Sequence, residues 1–235
     1  MTLLSIVQDV ALEVGVPAPT AVVGSLDLQT RQLQRIAQKE ATALAQRSNW
    51  TRLIVPFEFT TVAGMPQPGA LPAEMNRLSA GRVIWWVDMF RPILGPLTPE
   101  EWAAAISRPV SPGLWGYWRI IGEDLNIYPA PADGQTVRGE CISSNWCIHA
   151  GTPETYGDRW TADTDTTRLD EELITLGMIW RWRQTKGLDY AEDMATYERQ
   201  VEQAAARNGG MKDINMSATR YRWPGFNWSQ TINVV

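Results

Sequence analysis

The side chains best suited to chemistry lie close together in the second half of the chain. Cys147 and His149 are two residues apart, and Asp158 and Asp163 follow soon after them. A histidine can activate a cysteine nucleophile when the two meet in the fold and a third group orients the base. Nothing in the sequence fixes such a meeting. We therefore expect His149 to be an ordinary polar loop residue, we assign no catalytic residue, and we expect no enzymatic activity.

Two metal sites can be considered from the same region. Zinc would need more Cys or His ligands at short spacing than Cys141, Cys147 and His149 provide. The motif DTDT at 163–166 could bring carboxylates to calcium, but the further ligands and the glycine of an EF-hand loop are missing. We interpret DTDT as helix capping, with Thr166 or Thr167 as the cap. We assign no metal ligand and no cofactor, and a bridge between the two cysteines stays open.

Tryptophan is the residue type whose frequency is most unusual, with twelve in 235 residues. Those of the middle region could form a sugar-binding platform, although core and interface packing is the simpler interpretation. The segment WRWR at 180–183 could stack on nucleic acid, but neighbouring helical residues point in different directions, which favours packing. The tryptophans of the middle region are Trp85, Trp86, Trp115, Trp118 and Trp146.

Composition limits the classes of partner. The chain is 44% hydrophobic and 20% charged, as in an ordinary globular protein. Its net charge of −5 argues against a surface that grips phosphates or an anionic membrane. No apolar run approaches the length of about 20 residues that a membrane-spanning helix needs.

Helical patterns lie at the two ends of the chain. The first covers 2–14 with Thr2 as its cap, and the second covers about 27–48 with Asp27 as its cap. Two long helices follow residue 166, the first ending at Gly187, and the short connection between them predicts an antiparallel hairpin. The last 25 residues, 211–235, have no clear period and are rich in aromatic residues.

The region between these helices is divided by proline and glycine into short strand candidates. The segment WRIIGEDLNIYP predicts a hairpin that turns at Gly122 and Glu123, and TPEEWAAAI predicts a short helix capped by Thr98. The remaining candidates are RLIVPFEFTTVAG from Arg52, 82–87 and 135–143.

We therefore predict an α+β fold built on a helical bundle. Two N-terminal helices and a C-terminal helical hairpin form the bundle, which a small β-rich insertion interrupts and an extended C-terminal arm follows. The domains are 1–50 together with 166–210 for the bundle, 51–165 for the insertion and 211–235 for the arm.

The order of these segments resembles the head-to-tail adaptor, or head-completion, family of tailed bacteriophages, which includes the tail accessory factors of short-tailed phages. The likeness covers residues 1 to about 210. It is carried by MTLLSIVQDVALEVGVPAPTAVVGS, RPILGPLTPEEWAA, RIIGEDLNIYPAPADGQTV, ISSNWC and ADTDTTRLDEELITLGMIWRWRQTKGLDYAEDMATYERQ.

The resemblance implies a structural protein of the virion neck that assembles in the host cytoplasm. A dodecameric ring would lie beneath the portal protein, extend a DNA channel without specific DNA binding or any membrane, and carry the next neck or tail protein. Ring closure needs two different side faces. We expect Ala41, Ala45 and Trp182 at those faces.

The C-terminal arm would dock on the portal. Its anchor candidates are Tyr221, Trp223, Phe226 and Trp228.

Two other functions remain open. A carbohydrate- or receptor-binding tail component would use the tryptophans of the middle region. A hydrolase acting during infection would use His149 and the acidic pairs Glu100–Glu101 and Glu171–Glu172, although these pairs also suit helix starts.

Overall fold

The computed structural model describes residues 1–78, 84–107 and 116–208. Within these ranges, helices frame a curled sheet in the order α, α, β, α, β, α, α. The helices are α1 (Leu3–Glu13), α2 (Leu28–Arg47), α3 (Pro99–Ile106), α4 (Glu171–Lys186) and α5 (Ala191–Asn208), with one 3₁₀ turn at Thr51–Leu53. The strands are β1 (Ile54–Thr60), β2 (Pro66–Gln67), β3 (Met75–Leu78), β4 (Ile84–Trp86), β5 (Arg91–Leu94), β6 (Gly116–Ile121), β7 (Asp124–Tyr128), β8 (Thr136–Ser143), β9 (Cys147–His149), β10 (Thr155–Gly157) and β11 (Thr166–Thr167).

Local sequence signals set the ends of the helices. Thr2 caps α1 in a capping box with Ser5, and Asp27 accepts a hydrogen bond from the backbone of Thr30 to cap α2. The predicted cap of α4 is wrong, because Asp170 accepts from the Glu172 amide while residues 166–167 form β11.

Two further boundaries are confirmed. Thr98 and Glu101 form a capping box at the start of α3, in which Pro99 is the first residue. Gly187 ends α4 in the left-handed conformation that glycine adopts without strain.

The prediction of a helical bundle with a small β-rich insertion is wrong. Within the described residues, eight strands form one large curled sheet, with the order β1-β8-β4-β5-β6-β7-β2 and β3 also paired to β8. The predicted hairpin is confirmed, since β6 and β7 pair antiparallel across the turn at Gly122. A second, three-stranded sheet has the order β10-β9-β11.

Pairing between strands that are distant in the sequence makes the sheet larger than the predicted β-rich insertion. β8 pairs with β1 from Ile54↔Ile142 to Thr60↔Thr136, and it also pairs with β3 and β4. Each strand is short. The prolines and glycines between the strands end individual strands, but they do not separate a small β domain from the rest of the chain.

The buried side chains form two hydrophobic clusters. The first unites α1, α2, α4 and α5 with Trp146, Cys147 and Trp160, so it joins the helices to the short sheet. The second fills the curled sheet around Trp86 and Trp118. The short sheet therefore lies against the helical core, and its strand β9 carries Cys147 and His149.

Candidate functional site

The short sheet brings one cysteine, one histidine and one aspartate together. Cys147 and His149 project from the same side of β9, as residues two apart in a strand do. Asp165 directly precedes β11, which pairs with β9 at Thr166↔Ile148. His149 Nδ1 lies 3.0 Å from Asp165 Oδ2, and Cys147 Sγ lies 3.9 Å from each of these two atoms.

The Asp165 carboxylate is held by several donors. Its Oδ2 accepts the Thr161 amide at 2.6 Å, the Ala162 amide at 2.9 Å and the Thr161 hydroxyl at 3.0 Å. Burial alone would raise the pKa of Asp165, but these bonds and the one to His149 outweigh it and lower the pKa. The carboxylate is therefore ionised at neutral pH and fixed in place.

Cys147 is chemically quiet in this setting. The residue is fully buried, and burial, followed by the charge of Asp165, raises the pKa of its thiol to about 12. Thiol and carboxylate both lie at Nδ1 of His149. A nucleophile–base–orienter relay instead uses the two opposite nitrogens of the imidazole ring. The cluster therefore contains the residue types of such a relay, but its cysteine and aspartate do not lie at opposite nitrogens of the ring.

Gly157 lies close to Nε2 of His149, on the side of the ring opposite Asp165. A Cβ atom built on Gly157 would lie 2.5 Å from His149 Nε2. Gly157 pairs with Cys147 in the sheet, so the backbone of β10 passes directly against the imidazole. Any larger residue at 157 would displace the ring.

The DTDT motif does not cap α4, which follows it, but connects separate segments of the chain. The Asp163 carboxylate accepts the amides of Val22 and Val23 in the loop between α1 and α2. The carbonyl oxygens of Asp163 and Asp165 accept the amides of Leu4 and Leu3, at the start of α1. The two carboxylates therefore have different partners and do not converge on one cation.

Sequence alone named two of the three residues in this cluster and missed Asp165. In the sequence, Asp158 and Asp163 are the acidic residues that we considered beside Cys147 and His149. Asp158 is exposed and lies beside Arg159, while Asp163 holds the α1–α2 loop. The register of β9 with β11 decides which aspartate reaches the histidine, and no local signal in the sequence gives that register.

The residues predicted at ring interfaces are buried inside the chain. Ala41, Ala45 and Trp182 are 0%, 3% and 2% exposed. The ring of Trp182 also carries Lys186 over its face. Their side chains are occupied by contacts within the chain, so we do not base a contact between copies on them.

The predicted arm at 211–235, with Tyr221, Trp223, Phe226 and Trp228, lies outside the described residues.

The tryptophans considered for a sugar-binding platform are mostly interior. Trp86, Trp118 and Trp146 are 2%, 0% and 1% exposed, Trp85 is half-buried, and Trp115 lies outside the described residues. Stacking on a sugar needs an accessible ring face. These three side chains build the core instead.

Exposed leucines mark one end of the helical layer. Leu26, Leu28 and Leu188 are 94%, 67% and 55% exposed. A hydrogen bond of 2.8 Å from Lys186 to Gln32 places the end of α4 beside the first turns of α2. Leu26 and Leu28 lie around the start of α2, and Leu188 follows the end of α4, so the three leucines share that end. We call them the leucine end.

A cleft of about 800 Å³ lies towards the opposite end of α4. It contains both signs of charge, with Arg52 and Arg207 near the acidic first turn of α4. A pure polyanion would meet the α4 carboxylates there.

No protein-family model matches this chain, and no curated protein matches it. Among the described residues, none of the helices combines the length and the apolar character that crossing a membrane would require.

Proposed function

We propose that this chain is a structural adaptor in the neck of a tailed bacteriophage. In this proposal it forms a dodecameric ring beneath the portal protein, extends the DNA channel, and gives the next neck or tail protein its attachment platform. The role is architectural, carried by surfaces between copies, and it belongs to the virion after assembly in the host cytoplasm.

The observation that supports this role is the leucine end. Leu26, Leu28 and Leu188 are each more than half exposed. A group of exposed large apolar side chains at one end of a layer is typical of a surface that a partner covers. A neighbouring copy in a ring is that partner in our proposal, and the order of segments over 1–210 supports the same role.

Ring assembly on the portal is the experiment that tests this role. The purified chain is mixed with portal rings of the same phage, and the complex is measured by sedimentation and electron microscopy. We expect a ring of copies on the portal. Introducing charge with Leu26→Asp and Leu28→Asp should reduce assembly at least tenfold. Folding should survive, because acidic residues are favourable at the start of α2.

A matched control removes an equally exposed apolar side chain elsewhere. Phe90 is 85% exposed in the turn between β4 and β5, with a positive φ of 50° that aspartate tolerates. Phe90→Asp should assemble like the wild type. Equal assembly by the Leu26→Asp, Leu28→Asp variant would remove the leucine end from the proposal, and absence of any complex with portal would overturn the adaptor role.

Attachment of the C-terminal segment 211–235 to the portal is a separate part of the proposal. Its aromatic residues Tyr221, Trp223, Phe226 and Trp228 would act as anchors in pockets of the portal. A chain ending at residue 210 should lose portal binding while keeping its fold by circular dichroism. If the shortened chain bound portal rings as tightly as the full chain did, the arm would have no docking role.

A further inference from the structure

The cluster on the short sheet has the composition of a transition-metal site. Cys147, His149 and Asp165 each offer one ligand atom, and these three atoms lie within 4.8 Å of one another. Sulfur, imidazole nitrogen and carboxylate oxygen are the three donor types that zinc takes from proteins. Magnesium and calcium prefer oxygen ligands alone.

The spacing of the three atoms suits a tetrahedral ion. Bond lengths of about 2.3 Å to sulfur and about 2.0 Å to nitrogen and oxygen place tetrahedral ligands roughly 3.3–3.6 Å apart. The observed separations are 3.9 Å for Sγ to Nδ1, 3.9 Å for Sγ to Oδ2, and 3.0 Å for Nδ1 to Oδ2. Shifts of a few tenths of an ångström bring all three atoms to ligand distance.

The surroundings already hold the ligands in place. The close approach of Gly157 limits movement of the His149 ring. The Thr161 and Ala162 amides hold the Asp165 carboxylate through Oδ2, and the Thr161 hydroxyl, which donates to the same oxygen, would turn away when the ion binds. Partners of this kind orient metal ligands and strengthen binding. The His149 side chain is 22% exposed whereas that of Asp165 is 1% exposed, so an ion can enter from the histidine side.

We propose that Cys147, His149 and Asp165 bind one Zn²⁺ ion, with water in the fourth position. Binding breaks the S–H bond of Cys147 and releases that proton to solvent. In the metal-free chain Nδ1–H of His149 donates to Asp165, so binding also moves the ring proton from Nδ1 to Nε2 by exchange with solvent, and the Nδ1 lone pair then faces the ion. The net charge of the three ligands changes from −1 to −2, which complements the dication.

The bound ion would act as a structural clip. It would join β9 to the 161–165 loop, whose carbonyl oxygens accept the first amides of α1. The loop also holds Val22 and Val23 through Asp163. One ion would therefore stabilise the junction of three segments that are distant in sequence, and this function would not depend on ring assembly.

Cobalt titration of the full chain tests the site, because Co²⁺ occupies zinc sites and is coloured. The chain is first stripped with a chelator and kept reduced. We expect one equivalent of Co²⁺ to bind with the visible bands of a tetrahedral ion and a near-ultraviolet thiolate-to-cobalt band, and Zn²⁺ to bleach both. Absence of the thiolate band in the wild type would overturn the proposal.

The second buried cysteine provides the matched control. Cys141 is also fully buried and reduced, but it lies in β8, away from the cluster. Cys141→Ser should keep the thiolate band, whereas Cys147→Ser should lose it. Because the decisive variant is Cys141→Ser, the test does not require Cys147→Ser to fold. Loss of the band in Cys141→Ser with retention in Cys147→Ser would also overturn the assignment.

Thermal unfolding distinguishes an ion that stabilises the fold at this site from one that binds non-specifically. Zn²⁺ should raise the unfolding midpoint of the wild type and of Cys141→Ser, measured against Mg²⁺ at the same ionic strength. His149→Ala should lose that rise. An equal rise in His149→Ala would place the stabilising ion elsewhere.

Discussion

Arg181 of α4 donates to the carboxylate of Glu40 of α2 in the middle of the helical layer, where the Glu40 side chain has no solvent exposure. The same carboxylate accepts the hydroxyl of Tyr197 from α5. Burial, and then the charge of Glu40, raises the pKa of Tyr197, so the hydroxyl stays protonated and donates. One buried carboxylate therefore connects three helices.

Removing this carboxylate should destabilise the chain strongly. Glu40→Ala leaves a largely buried guanidinium and a buried hydroxyl without their acceptor, which typically costs about 3–5 kcal/mol. The free energy of unfolding, measured by urea titration, should fall by that amount. Glu198 provides a control, since its ion pair with Arg47 is more than one-third exposed. Glu198→Ala should cost under about 1 kcal/mol, and equal losses in the two variants would contradict the role of Glu40.

Gly177 makes room for the buried carboxylate, and this predicts a coupling between two positions. A Cβ atom on Gly177 would collide with the Glu40 side chain. Gly177→Ala should therefore cost about 1–3 kcal/mol through overpacking. In a Glu40→Ala background the same change should be neutral or stabilise by up to about 1 kcal/mol, because alanine favours a helix interior. A double-mutant cycle measures this, and additive effects would refute the contact.

The helices could be predicted from sequence because their signals are local. Thr2, Asp27 and Thr98 cap helices within three residues of the amides that they accept, and Gly187 ends α4 by its own conformation. The cap of α4 was missed because residues 163–170 offer several candidate caps. Asp170 has that role because pairing with β9 holds residues 166–167 in an extended conformation.

The sheet and the cluster could not be predicted because they depend on long-range register. β1 and β8 pair across a separation of more than seventy residues. The sequence of a short strand does not specify which other strand it pairs with or in which register. The choice of Asp165 over Asp158 or Asp163 depends on the pairing of β11 with β9. Trp182 is also buried, because α4 packs against other elements on more than one side. The apolar stripe of α4 in the sequence predicts burial of one face only.

Asp165 should contribute stability that disappears in acid. Its pKa is lowered in the folded chain, so its contribution is present above the ordinary value of 3.8 and is lost as the pH falls through the folded-state value. Asp165→Asn should cost roughly 1.5–3 kcal/mol at neutral pH, as expected for hydrogen bonds to a charged group.

The pH dependence of that loss is the decisive measurement, made on metal-free protein. The difference between Asp165→Asn and the wild type in free energy of unfolding should shrink below about pH 4, where the unfolded carboxylate is protonated. Asp158 is an exposed aspartate of the same region, so Asp158→Asn should leave stability unchanged at every pH. A constant difference across the pH range would show that the charge of Asp165 has no part in stability.

The buried thiol of Cys147 should make the chain sensitive to alkali. Burial raises its pKa from the ordinary value of 9.0 to about 12, so above pH 9 the unfolded chain loses the thiol proton while the folded chain keeps it. Stability is therefore fully present below pH 9 and falls between about 9 and 12. The slope of unfolding free energy against pH, measured in metal-free protein between 9 and 10, should be shallower in Cys147→Ala. This window lies below the ordinary pKa of 10.0 for Tyr197, whose raised value adds a further fall at higher pH. An unchanged slope in Cys147→Ala would mean that the Cys147 thiol is accessible to ionisation in the folded chain.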